Sequence, residues 1–108
     1  MGTEVTDNGA EHRFEIRLDG ELVGFSDYHD KGSVRSFTHT EVEPALEGHG
    51  LASTLIRAAL DQTRAAGLAV LPYCPFVRAF IERHPDYVDL VPAEQRARFD
   101  LAGSGHGR

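Results

Sequence analysis

A single cysteine, Cys74, is present in the sequence. No internal disulfide can form, and a zinc centre built from clustered cysteines is excluded. No apolar run approaches the roughly 20 residues that span a bilayer. The opening residues, MGTEVTDNGAEH, lack the basic and apolar regions of a signal peptide, so cytoplasm is the expected location. Basic residues are also in short supply. Eleven Lys and Arg stand against 17 Asp and Glu, a formal net charge of -6. That balance offers no footprint for a phosphate backbone, and neither a nucleic-acid nor a membrane partner is expected. Six histidines are scattered rather than spaced as ligands on one helix face, so no metal is expected. What remains is an ordinary globular composition, 41% hydrophobic and 26% charged, in 108 residues. That length suits one domain with a modest core.

Residues 1–11 are polar and aperiodic and are expected to form a loose tail. From Arg13 the pattern changes. Phe14, Ile16 and Leu18 alternate with Arg13, Glu15 and Arg17, the period of a half-buried strand. Asp19-Gly20 is a tight-turn signal and Asp30-Lys31-Gly32 a looser one. Three antiparallel strands are predicted, near residues 12–18, 21–29 and 33–42. In the third, Val34, Ser36, Thr38, Thr40 and Val42 share one face, and Arg35, Phe37, His39 and Glu41 the other.

A helical pattern follows, with Ala52, Leu55, Ile56, Ala59, Leu60 and Thr63 on one face and Gly67 as its C-terminal cap. LAVLPY is a short apolar run suited to a strand buried on both faces. Pro75 opens a second helix with an apolar stripe of Phe76, Ala79 and Phe80, and Pro85 stops it. The predicted order is β-β-β-α-β-α over residues 12–91, followed by a polar tail over 92–108 whose final AGSGHGR is expected to be disordered. The fold class is thus mixed α+β, or α/β. A single helical crossover makes the third and fourth strands parallel neighbours, and ligands in such sheets sit beyond the strands' carboxyl ends. That crevice is predicted to be lined by residues 39–42, the following glycine loop and residues 73–75.

The glycine loop lies in EPALEGHGLAST, residues 43–54. Gly48 and Gly50 precede a helix, where free backbone N–H groups and the positive helix end favour an anion. Glycines there also serve a plain tight turn, and Gly-x-Gly alone does not separate the two. No Gly-Lys-Ser/Thr follows, so this is not a Walker loop. Ser53 stands where the dinucleotide fingerprint needs its third glycine.

Val42-Glu43-Pro44 followed by Glu47-Gly48-His49-Gly50-Leu51-Ala52 resembles the acetyl-CoA pyrophosphate loop of the GCN5-related N-acetyltransferases. Their signature is Gln/Arg-x-x-Gly-x-Gly/Ala, commonly after Val-x-Pro. FTHTEV, GHGLAS, PYCPFV and IERHPDY, in that order, resemble more narrowly the minimal acetyltransferase-like family that lacks the usual N-terminal helices. The resemblance runs from about Arg13 to Val91. It implies an acetyl-CoA-dependent N-acetyltransferase acting on an amine, either a small molecule or a protein lysine. Val42 would pair with the pantetheine arm through its backbone. Glu47, Gly48, His49, Gly50, Leu51 and Ala52 would surround the pyrophosphate, and Ser53 would add a hydroxyl. Glu47 departs from the signature, since it places a carboxylate where Gln or Arg is usual.

Two residues are candidates for the chemistry. Cys74 closes the buried strand and precedes Pro75, near a helix N-cap where the dipole favours a thiolate. A lone cysteine is equally often a small buried hydrophobe. The resemblance implies an active-site role, as acetyl carrier or as a wall of the acceptor pocket. His39 lies near the end of the third strand and is of the residue type that most often serves as a general base, although a histidine held by sheet-edge hydrogen bonds fits the same position. An acetyl-CoA-binding module without turnover is the alternative function. A small interaction domain whose glycines only turn the chain is a third. A minimal domain with an exposed sheet edge is expected to be a monomer or a weak homodimer.

Overall fold

The alternation around Phe14 and Ile16 builds a strand over Arg13–Leu18. Asp19 and Gly20, with φ of 52° and 87°, turn it into the next strand, Glu21–Lys31. Two successive positive φ values are what a two-residue hairpin with the right-handed strand twist requires. In the computed structural model, which describes residues 2–101, a further strand precedes these two. In chain order the strands are β1 (Thr3–Asn8), β2 (Arg13–Leu18), β3 (Glu21–Lys31), β4 (Val34–Val42) and β5 (Ala69–Pro72). The helices are α1 (Leu51–Ala65) and α2 (Pro75–Arg83). The sheet order is β1-β2-β3-β4-β5; β4 and β5 run parallel and every other pair antiparallel. The expected β-β-β-α-β-α order is present, with one strand added in front.

That strand corrects the reading of residues 1–11 as a loose tail. β1 pairs with β2 from Thr3 opposite Leu18 to Asn8 opposite Arg13. Only Val5, opposite Ile16, brings an apolar side chain toward the core, so no period-two signal marks the strand. Its second inward residue, Asp7, accepts a hydrogen bond from the Tyr28 hydroxyl at 2.6 Å.

Both helices cover one face of the sheet. Leu51, Leu55, Ile56, Ala59 and Leu60 from α1 and Val77, Phe80 and Ile81 from α2 join Phe14, Ile16, Phe37 and Val70 in a single buried cluster. The stripe of α2 is therefore Val77, Phe80 and Ile81, whereas Phe76 is exposed. The C-terminal boundary also moves. Beyond Val91, two short 3-10 turns, Ala93–Gln95 and Ala97–Phe99, fold back on the domain and bury Phe99 and Leu101. Residues 102–108 lie outside the described residues. The motif around His84 is structural. Its ring stacks 4.2 Å from that of Phe80, and the Tyr87 hydroxyl donates to Asp61 at 2.7 Å, tying the segment to α1.

Thr38 breaks the expected alternation of β4. Asp27 pairs with His39, yet Tyr28 pairs with Phe37, so Thr38 has no partner and forms a bulge. Arg35 and Phe37 point to the helices before it, and Thr40 does so after it. His39 and Glu41 consequently face the opposite side of the sheet, not the side that Phe37 faces.

Arg35 is buried beneath the helices. Its guanidinium holds Asp30 through two bonds of 2.7 and 2.8 Å and lies 3.9 Å from the centre of the Tyr28 ring. Burial, then the Asp7 carboxylate, pushes the Tyr28 hydroxyl up to about 12. A raised pKa favours the protonated folded state, so this stability is complete below pH ~10 and is lost as pH climbs toward about 12. Alkaline titration of tyrosinate absorbance should show two tyrosines resisting ionisation, Tyr28 and Tyr87, the latter also pushed up by burial and by its bond to Asp61. In Tyr28→Phe that class should fall from two to one; two persisting would contradict the assignment.

Candidate active site

Two prolines open the sheet. β4 and β5 pair only from Val34–Ala69 to Phe37–Pro72. Pro72 has no N–H to continue the ladder. The next N–H, of Tyr73, turns back to the Leu71 carbonyl at 3.1 Å. Cys74 then donates its N–H to the Phe37 carbonyl at 2.9 Å, the last backbone link between the two segments, and Pro75 starts α2. β4 runs on to Val42 with no strand on that side, so a gap separates its end from the start of α2. β3 closes in behind β4 at the same level: a Cβ on Gly24 would sit 2.8 Å from the Glu41 carbonyl oxygen.

The glycine loop stands beside this gap. Pro44–Leu46 forms one 3-10 turn, which ends at Glu47 with its N–H donated to the Pro44 carbonyl. Gly48 and Gly50 follow with φ of 91° and 76°. Side chains other than glycine rarely adopt such values, and no Cβ faces the loop's surface there. Gly50 is the N-cap of α1, and no side chain caps this helix end. The first bond to the cap runs from the Thr54 N–H to the Gly50 carbonyl at 3.0 Å. The N–H groups of Leu51, Ala52 and Ser53 therefore precede any i−4 partner. No acidic residue lies in this first turn to offset its positive end. The result is an unblocked anion-binding geometry.

A cavity of ≈ 360 Å³ opens on these groups, walled by Val42, Leu46, Glu47, Gly48, Gly50, Leu51, Ala52, Ser53 and Phe76. A second of ≈ 260 Å³ continues along the gap past Thr40, Val42, Glu47 and Phe76. Of the expected loop residues, Val42, Glu47, Gly48, Gly50, Leu51, Ala52 and Ser53 thus share one wall. His49 is exposed, between the two glycines, and donates its N–H back to the Leu46 carbonyl at 3.4 Å. Glu47 is exposed at the mouth of both cavities.

The two candidates for chemistry are separated by the sheet. Cys74 is the N-cap of α2, 1% exposed, and its thiol donates to the Thr40 hydroxyl at 3.2 Å on the helix-facing side. His39, next to Thr40 in an extended strand, points the other way. Its Nε2 meets Glu41 Oε2 at 2.8 Å, and its ring lies 6.1 Å from that of Phe25, which in turn stacks against Arg13. The structure does not bring His39 to Cys74.

Residues 13–90, well over half of the chain, match the family of the GCN5-related N-acetyl-transferase. The chain belongs to the GCN5-related N-acetyltransferase family. The NMR solution structure of a GCN5-like protein from Staphylococcus aureus has the same fold, with a TM-score of 0.64 at 22% identity. That match covers 82% of this chain and 87% of the other. Membership makes this protein an acetyltransferase by class.

Two residues of the candidate site lie elsewhere than the sequence pattern puts them: the pattern puts Phe76 in the core-facing stripe of α2, and Thr40, within the predicted lining of residues 39–42, on the face opposite Phe37. Phe76, 51% exposed, is a wall of both cavities. A helical wheel centred on Val77, Phe80 and Ile81 would have placed it outside. Thr40 reaches the helix-facing side only beyond the bulge at Thr38, for which the sequence carries no local sign. Among the described residues no three His, Cys, Asp or Glu side chains converge as a metal site, and no helix is long and apolar enough to cross a membrane.

Proposed function

We propose that this protein transfers an acetyl group from acetyl-CoA to an amine, a small molecule or a protein lysine, with Cys74 as the intermediate carrier. The observation that carries this reading is the uncapped, glycine-flanked start of α1 opening on a cavity that leads to the parted strands. The N–H groups of residues 50–53 would hold the pyrophosphate, and backbone groups near Val42 would align the pantetheine arm. Phe76 would cover the arm's apolar side. At the gap, the Cys74 sulfur attacks the thioester carbonyl, and the carbon–sulfur bond to CoA breaks. CoA leaves as its thiol, taking the proton that Cys74 gives up. The acceptor, having lost its ammonium proton to solvent, then attacks the acetyl-cysteine as the free amine; the carbon–sulfur bond breaks, the amide forms and the nitrogen's surplus proton restores the thiol. His39, held by Glu41 on the other face of the sheet, is not placed to take the thiol's proton.

Thermal shift tests the binding half. CoA at a hundredfold over its dissociation constant should add about 2.7 kcal/mol, and each kcal/mol raises the midpoint by roughly 4–8 °C in a domain this small. No shift in millimolar acetyl-CoA would overturn the reading. Phe76→Ala removes an exposed ring that no core residue depends on. It should leave the midpoint of the free protein nearly unchanged and weaken acetyl-CoA by about tenfold, the scale of a lost aromatic contact of ~1.5 kcal/mol. Calorimetric titration checks this, and unchanged affinity would remove Phe76 from the site.

One observation favours a second reading, an acetyl-CoA-binding module without turnover. The Cys74 thiol is buried behind Thr40 rather than lining either cavity. Intact mass after incubation with acetyl-CoA, together with CoA release across a panel of amines, separates the two: an adduct on Cys74 supports the carrier, and neither adduct nor release supports the module.

A further inference from the structure

Behind the gap, three small polar side chains are buried in a row. Ser26 of β3, Thr40 of β4 and Cys74 at the start of α2 are 0%, 4% and 1% exposed. The thiol donates to Thr40 Oγ1 at 3.2 Å, and Thr40 Oγ1 lies 2.9 Å from Ser26 Oγ. Polar groups in an otherwise apolar core are kept only where they satisfy one another. Thr40 stands at the centre of the row and is also part of the wall of the second cavity. It therefore lies between the space along the gap and the thiol.

The bulge at Thr38 is what puts it there. With unbroken alternation the helix-facing side after Phe37 would take His39, and Thr40 would face solvent. Bulges recur next to functional sites, where they re-aim a side chain.

We propose that Thr40, itself fixed by Ser26, is the positioning residue for the Cys74 sulfur. This rests on the reading of Cys74 as acetyl carrier. A hydroxyl has one donor hydrogen and two acceptor lone pairs. While Cys74 is a thiol, its S–H donates to Thr40, and the Thr40 O–H donates to Ser26. Once the proton has left, both hydroxyls rotate: Ser26 donates to Thr40, and Thr40 donates to the thiolate. No heavy atom needs to move. Neither hydroxyl is a base, so the row keeps no proton; that proton ends on the departing CoA. The row holds the sulfur's direction and supports its charge. Valine at position 40 keeps the shape and loses this function, while serine keeps it.

Cys74 is the only cysteine, so acetylation followed by intact mass and alkylation by iodoacetamide both report on it alone. In a single turnover at saturating acetyl-CoA, Thr40→Val should acquire the acetyl group about tenfold more slowly or worse, the scale of a lost hydrogen bond to a charged group. Thr40→Ser should recover to within about threefold, because the bond is restored. Iodoacetamide, used without CoA, should show the same order: wild type and Thr40→Ser fast, Thr40→Val slow. If Thr40→Val does not fold, Ser26→Ala should give a smaller slowing in both assays. Equal rates for Thr40→Val and wild type, or a Thr40→Ser as slow as Thr40→Val, would overturn the proposal. A wild type that alkylates in the expected order but never becomes acetylated would overturn the carrier reading and leave Thr40 as a determinant of thiol reactivity only.

Discussion

Replacing Ser53 with glutamate is expected to stabilise the free protein slightly while removing most of its affinity for acetyl-CoA. The two effects have one cause. Ser53 is exposed in the first turn of α1, a helix end with no side-chain cap and no acidic residue. A carboxylate there meets the positive end of the helix and should gain about 0.3–1 kcal/mol. The same carboxylate would stand beside a bound pyrophosphate. Like charges near 4 Å repel by about 1 kcal/mol in water and about 4 kcal/mol near a protein surface, so a loss of roughly fivefold to a thousandfold in affinity follows. Denaturant unfolding checks the first effect and calorimetric titration the second. A variant that is destabilised and still binds would show that this helix end is not the anion site. Glu47, at the mouth of both cavities, already supplies an unfavourable charge. On the proposed reading the backbone groups, not the loop's side chains, would therefore supply the affinity.

Cys74→Ala should abolish the acetyl adduct altogether and lower amine-dependent release of CoA by about a hundredfold or more, as expected when covalent catalysis is removed. The side chain is buried among Val77, Phe80 and the other core residues. Losing one sulfur should cost about 1 kcal/mol, the scale of a buried methylene-sized group, so the variant should fold. CoA affinity should be unaffected, since the anion site lies across the gap. Intact mass and a free-thiol assay for CoA are the measurements. Turnover retained in Cys74→Ala would mean that the amine attacks acetyl-CoA directly.

The elements around the site were legible because each carried its own local signal. Alternation marked β2, Asp19-Gly20 its hairpin, and Gly67 and Pro85 the helix ends. The right-handed crossover then fixed β4 and β5 as parallel neighbours, and with them the place of the glycine loop. What escaped depended on partners rather than on local sequence. β1 is held by pairing with β2 and by Asp7 on Tyr28, with one apolar inward residue. The turns beyond Val91 have only Phe99 and Leu101 as buried apolar anchors in a polar stretch, helped by Arg96 on the Val91 carbonyl and Arg98 on the Tyr73 hydroxyl. The bulge at Thr38 inverted every later residue of β4. It placed His39 against Glu41 and Phe25, and gave Thr40 the position beside Cys74.

The central claim is that the start of α1 binds CoA through its backbone. Amide chemical shifts, followed residue by residue during titration with CoA, test it most directly. The expected result is that the largest changes fall on the N–H groups of Gly48 to Ser53, with smaller ones near Val42 and Phe76. Saturation that leaves those amides in place, with changes elsewhere or none at all, would contradict the account.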